Sequence, residues 1–182
     1  MNKFVRAAIC VPCGFLKMAL NKVFHPINFK GPLISLVSPF SEITITGGKL
    51  YIGNFFKMRD GAKIRVRKNA ECCIGNNVAV NSNNMIACHE KITIGDGVQF
   101  GPGVQIYDHD HDFRAAGGLA MEKYKTTPVE IGNNCWIGAN TVILRGTKIG
   151  DNSVVGAGCV IKGVFPANSV VVQKRDSLVT GY

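Results

Sequence analysis

The stretch Ile131-Gly-Asn-Asn-Cys-Trp-Ile-Gly-Ala-Asn-Thr-Val-Ile-Leu-Arg-Gly-Thr-Lys-Ile-Gly-Asp-Asn-Ser-Val-Val-Gly-Ala-Gly-Cys-Val-Ile161 repeats with a period of six. Aliphatic side chains stand in register at Ile131, Ile137, Ile143, Ile149, Val155 and Ile161, and Gly132, Gly138, Gly150 and Gly156 follow four of them. Four places after each aliphatic come Cys135, Thr141, Thr147, Ser153, Cys159 and Phe165, so a second, mostly small position repeats in phase. Such a unit is too short for a helical repeat but fits one short strand and one turn, with Gly, Asn and Asp where the backbone turns sharply. One such strand cannot bury its apolar residue alone. Stacked coils can: each strand pairs with those above and below it, ~4.8 Å away, and the aliphatics form ladders along a central core. The expected fold is an all-β parallel solenoid with three short faces per turn, whose handedness the period leaves open.

Working back along the chain, the same phase runs through Ile94-Gly-Asp-Gly-Val98, Phe100-Gly-Pro-Gly-Val104 and Ile106, and before that through Ile74-Gly-Asn-Asn-Val78, Val80 and Ile86. Between Ile86 and Ile94 it slips by two residues. Weaker copies at Ile64/Val66, Leu50/Ile52 and Ile43/Ile45 extend the repeat over residues 36–166, leaving an arm at 1–35 and a tail at 167–182.

A chain of 182 residues with 46% hydrophobic and 18% charged residues has enough apolar material for a core, which excludes wholesale disorder. Its charge of +9 is unevenly placed. Residues 1–30 carry Lys3, Arg6, Lys17, Lys22 and Lys30 and no acid, so the remainder holds 16 − 12 = +4, which argues against a nucleic-acid stripe on the body. From Phe4 to Phe24 the arm is mostly apolar, but Arg6, Pro12 and Lys17 keep it short of the ~20 uninterrupted apolar residues of a bilayer span. No small-residue cleavage site marks a signal peptide. Leu16, Leu20, Val23 and Phe24 beside Lys17 and Lys22 fit a basic amphipathic helix that caps the body or touches an anionic membrane through residues 1–30. Seven cysteines at irregular spacings point to reduced thiols and a cytoplasmic setting, at the inner face of the membrane if the arm docks there. Cys10-Val-Pro-Cys13 has no second pair to complete a zinc site.

With these motifs the chain resembles the hexapeptide-repeat acyltransferases, and Ile131 to Ile161 is most similar to the galactoside, maltose and polysaccharide O-acetyltransferases. The resemblance implies a left-handed parallel β-helix and a homotrimer with active sites between subunits. It also implies acetyl-CoA as acyl donor, a saccharide acceptor, no resident metal and no nucleic-acid partner. The left hand comes from the resemblance alone, since crossovers between parallel strands are ordinarily right-handed.

Between Ile106 and Ile131 the period fails over Tyr107-Asp-His-Asp-His-Asp-Phe113, Gly117-Gly118 and a polar run to Pro128. Long excursions from regular folds are commonly functional, and a histidine flanked by acids is a candidate general base because a carboxylate can orient its ring. In the resembling families a His lies four residues after the residue matched by Tyr107, which makes His111 the expected base and His109 the reserve. Asp108 to Asp112 could instead hold a cation with His89 as a further ligand, as γ-class carbonic anhydrases do on this fold, but the spacing of 89, 109 and 111 does not match theirs.

The resemblance further places Trp136 and Ala139 at the thioester end of the donor, and Ala157 and Lys162 along the pantetheine path. Lys174 and Arg175 stand where a terminal base could meet nucleotide phosphates, although Val172-Gln-Lys-Arg-Asp-Ser177 departs from the families' Gly-x-Pro-x-Arg tail. On the acceptor side it points to Asn83, His89 and Glu90. N-acetylation of an amino sugar nucleotide or an antibiotic is the alternative on the same scaffold, and a non-catalytic solenoid is the structural one. Serine acetyltransferase is disfavoured because its large helical N-terminal domain does not fit in about 35 residues.

Overall fold

The computed structural model describes residues 2–174 and 180. Short strands wind into a three-faced parallel solenoid: among the described residues, two faces have seven strands and one has six, each strand bonded to those one coil away. Face A runs from Phe29–Lys30 to Val164–Phe165, face B from Leu36–Val37 to Val170–Val171, and face C from Glu42–Ile45 to Val160–Ile161. The strands thus begin before, and end after, the span over which the repeat is visible in sequence.

The aliphatic positions stack where the period predicts. On face A, Ile52, Ile74, Ile94, Ile131, Ile149 and Phe165 are consecutive partners. On face C the ladder is Ile43, Ile64, Ile86, Ile106, Ile143 and Ile161. Nearly all are buried, and together with the face B residues Met58, Val80, Phe100, Ile137 and Val155 they form one continuous core. The second, small position lies inside the corners, where its polar atoms find backbone partners: Thr141 Oγ1 donates to the Gly156 carbonyl (3.1 Å) and Thr147 Oγ1 to the Leu144 carbonyl (2.6 Å). An unpaired hydroxyl there would cost about 1–3 kcal/mol.

The turn residues also have specific tasks. Side-chain oxygens of Asn76, Asp96, Asn133 and Asp151 each accept a backbone N–H from the coil before, at 2.6–2.9 Å, so a column of Asx residues fastens one corner. Asn77, Asn134 and Asn152 adopt positive φ near 55°, a conformation that Asn tolerates better than other side chains. At Gly101 a Cβ would come within 2.6 Å of the Ala139 backbone nitrogen, so glycine is required by the closeness of the next coil.

The arm forms one helix, Lys3–Phe24, with Asn2 capping its first turn. It packs on strands Phe29–Lys30 and Leu36–Val37, closing the end of the solenoid. Cys10, Gly14 and Met18 are its buried residues. Gly14 sits so near the Ser35 carbonyl that a Cβ would lie 2.2 Å from the oxygen. Lys17, a member of the basic arm in the sequence, turns inward: its Nζ donates to the carbonyls of Ser38 (2.9 Å), Pro39 (3.0 Å) and Ser41 (2.5 Å). By length and composition Phe4–Phe24 suffices to cross a membrane despite Arg6, Pro12 and Lys17.

Candidate active site

The coil breaks after Gln105–Tyr107 on face C and resumes at Val129–Ile131 on face A. Between them His109–His111 pairs antiparallel with Tyr124–Thr126, a hairpin standing off the solenoid. Strand alternation puts His109 and His111 on one side of this ribbon and Asp110 and Asp112 on the other. The acids on the second side are tied down: Arg145 Nε donates to Asp110 (2.5 Å) and Lys125 Nζ lies 3.1 Å from Asp112. Arg145 also donates to Thr127 (3.1 Å), so the hairpin root is bonded to the next coil.

The first side builds the site. Asp108 is fully buried, and its carboxylate accepts the backbone N–H groups of His89 (2.8 Å) and Glu90 (2.7 Å), while His109 Nδ1 lies 3.1 Å away. Those two N–H groups belong to the corner at which the repeat slips by two residues. The slip therefore has a physical role, since it supplies the donors that hold the carboxylate. Burial pushes the Asp108 carboxyl up, but the bonds from His109, Glu90 and His89 outweigh it and hold it below the usual range.

Above this carboxylate the rings of His89 and His109 stack at 3.5 Å, inclined by 15°. Tyr124 packs edge-on against both, at 4.5 and 5.4 Å, and lies 4.7 Å from the His111 ring. His89, desolvated by burial and then opposed by the charge of His109, has its pKa lowered to about 4 and is neutral at physiological pH. The result is a row. It runs from half-buried His89 through His109, whose side chain is only 12% exposed, to His111, which is exposed at the outer end. Among the described residues no group of three or more His, Cys, Asp or Glu side chains is arranged to hold a metal ion, and the face-to-face stacking of His89 and His109 does not aim two ring nitrogens at one point.

The other candidates are dispersed. His89 and Glu90 join the row through the Asp108 carboxylate, but Asn83 lies at the opposite end of strand Met85–Cys88, with a positive φ of 59° and its Oδ1 stacked on Gly61. Trp136 opens a strand of face B, 58% exposed, in a groove of about 340 Å³ shared with Arg6, Lys57, Arg59 and Gln99. Ala139 and Ala157 stack on successive coils at the corner that follows face B, and exposed Lys162 lies at the corner after face C. Within one chain the Trp136 face and the histidine row are on different faces. Lys174 is exposed, and Arg175 lies outside the described residues. Sequence reasoning named the acids of this loop only as flanking groups or cation ligands and did not name Tyr124. The phase slip at His89 is the signal that could have singled out Asp108, whereas Tyr124 has none.

Residues 128–163 match the family described as bacterial transferase hexapeptide (six repeats). WbbJ of Escherichia coli (strain K12), whose name ties it to lipopolysaccharide biosynthesis as an O-acetyl transferase, is 26% identical over 178 residues, covering 93% of this chain and 89% of WbbJ. The galactoside O-acetyltransferase of the same organism is 41% identical over 101 residues, covering 53% of this chain and 47% of that enzyme, so the chain spans about half its length. Among solved structures, AntD, an N-acyltransferase from Bacillus cereus in complex with dTDP and 3-hydroxybutyryl-CoA, superposes with a TM-score of 0.70 at 21% identity, covering 86% of this chain and 83% of AntD. The coil, its six-residue phase and these matches agree: residues 128–163 carry the bacterial transferase hexapeptide repeat, and the chain is similar in sequence to O-acetyltransferases and in fold to an N-acyltransferase.

Proposed function

We propose that the chain transfers an acetyl group from coenzyme A to a hydroxyl of a saccharide, with His111 as general base. The observation that carries this reading is the histidine row. An exposed imidazole is held at the outer end of an anchored strand pair, where the solenoid is interrupted. Alcohol acylation asks for a base within reach of the acceptor and a cleft that aligns the thioester. In the proposed step the His111 imidazole takes the hydroxyl proton as the oxygen bonds to the thioester carbonyl carbon. The tetrahedral intermediate then collapses, the C–S bond breaks, and the imidazolium returns its proton to the leaving thiolate.

Galactoside O-acetyltransferase and WbbJ support a saccharide acceptor by their names, and the coenzyme A derivative bound to AntD supports the donor. Trp136 and the Ala139/Ala157 corner would line the donor path, with Lys162, Lys174 and Arg175 toward the phosphates. Asn83, His89 and Glu90 would face the acceptor side. Because Trp136 and the histidine row occupy different faces, the reading includes a homotrimer in which a neighbour's face B completes each site.

A second assignment of the base rests on a specific contact, the 3.1 Å approach of His109 Nδ1 to Asp108, which would leave Nε2 free to take a proton. Kinetics of His111→Ala and His109→Ala decide between them. With His111 as base, His111→Ala lowers kcat by about 10²- to 10⁴-fold at unchanged thermal stability, whereas His109→Ala also lowers Tm. A kcat loss confined to His109→Ala would transfer the role to His109. N-acylation of an amino sugar is the rival reaction, favoured by the AntD likeness in fold, and turnover of an amino but not a hydroxyl acceptor would establish it.

A further inference from the structure

The N-terminal helix carries a feature that acyl transfer does not use. Cys10, Gly14, Met18 and the bonds of Lys17 fix one side of it to the end of the solenoid. At 3.6 residues per turn the opposite side holds Val5, Ile9, Leu16, Leu20 and Val23, with Phe15 on its flank, and all six are exposed. Soluble helices ordinarily show this arc as polar. Here Leu16 is 58% and Val23 71% exposed, and the charged residues bordering the arc are bases, Lys22 on one flank and Arg6 on the other.

Charge decides what covers this arc. No Asp or Glu occurs in residues 1–41. Lys22 lies in the helix's last turn, Lys30 follows it, and Arg6 on the other flank shares a groove with the exposed Lys57 and Arg59. A second copy laid on the stripe would bring bases against bases. An anionic lipid surface would instead offer them partners while receiving the apolar side chains at the headgroup–acyl boundary. Spanning is a different matter: the close approach of Gly14 to Ser35 and the triple carbonyl contact of Lys17 hold the helix lengthwise on the body, so it lies in the plane of the interface.

We propose that this helix docks the protein on an anionic membrane surface, its apolar arc entering the interface and its flanking bases meeting lipid phosphates. This does not depend on the acceptor or on which histidine is the base. An enzyme so placed would meet acceptors at a bilayer surface.

The test is co-sedimentation of the full chain with phosphatidylcholine vesicles, with and without about one third phosphatidylglycerol, at about 0.1 M and about 1 M salt. The wild type is expected to sediment with the anionic vesicles and to be released at least in part by high salt. The double variant Leu16→Glu/Leu20→Glu is expected to lose binding tenfold or more while keeping its Tm, because neither side chain enters the core. Lys22→Glu is expected to weaken binding to anionic vesicles and leave binding to neutral ones unchanged. Absence of wild-type binding to anionic vesicles, or binding that the double variant retains, overturns the proposal. A stripe that mediates self-association would show as a fall in particle mass in the double variant without vesicle binding by the wild type, and it overturns the proposal equally.

Discussion

Asp108 concentrates the chemistry of the excursion in one buried carboxylate. It faces two backbone donors and an imidazole, so in Asp108→Asn an amide N–H₂, which cannot accept, replaces one of the two oxygens that receive the backbone N–H groups of His89 and Glu90. The expected cost is about 1–3 kcal/mol, read as a lowered Tm, together with loss of His109 orientation. His89 gives a pH prediction. Its pKa falls from 6.5 in the unfolded chain to about 4 in the fold, so below pH 6.5 the unfolded state binds the extra proton. Stability should therefore fall as pH drops from about 6.5 toward 4, and Asp108, held below its ordinary range, adds to the loss at the acid end. Thermal melts across that window should show a smaller decline in His89→Gln than in the wild type, and equal slopes would contradict the assignment. At this scale the sequence was only partly legible. The acids and histidines of residues 108–112 are visible as a cluster, but which carboxylate is buried depends on a corner nearly twenty residues upstream, and nothing local to Tyr124 marks it as the ring that packs on three histidines.

At the level of elements, the six-residue phase determined strand positions because each aliphatic has one place to go. Ile143, for example, is bracketed by Ile106 and Ile161 in the face C ladder. Its truncation to Ala should cost about 2–5 kcal/mol, since the stacked coils cannot collapse around the void. Gly101→Ala should destabilise by about 1–3 kcal/mol because the new methyl meets the Ala139 backbone, whereas the same change at Gly118, which has open space around it, tests only the strain of a positive φ. The hairpin behaves differently. Arg145→Ala removes bonds that are partly exposed, so Tm should move little, but loosening the hairpin root should raise KM or lower kcat, and steady-state kinetics would show it. Periodicity could say that the coil stops at Tyr107 and restarts at Val129, but not that the insert pairs with itself, because its alternating Asp and His residues carry no apolar pattern.

The whole molecule combines a rigid scaffold with two departures from it, the histidine hairpin and the helix closing one end. Its parallel coil could be read from residues alone, but not the outermost strands, Phe29–Lys30 and Val170–Val171, which lie outside the visible repeat. The inward turn of Lys17 could not, because a basic residue in an apolar arm looks solvated until the carbonyls of Ser38, Pro39 and Ser41 are seen to converge on it. Nor could the separation of Trp136 from the histidine row, which follows from their assignment to different faces and gives the proposed intersubunit site its geometric motive. The most direct test of the central claim is thiol release from acetyl-CoA by the full chain with a panel of free, nucleotide-linked and lipid-linked saccharides, comparing wild type with His111→Ala. Acceptor-dependent thiol release that falls by about 10²-fold or more in His111→Ala is the result predicted here. Undiminished turnover in that variant would contradict the assignment of the base, and the absence of turnover and of coenzyme A binding in the wild type would contradict acyl transfer from coenzyme A.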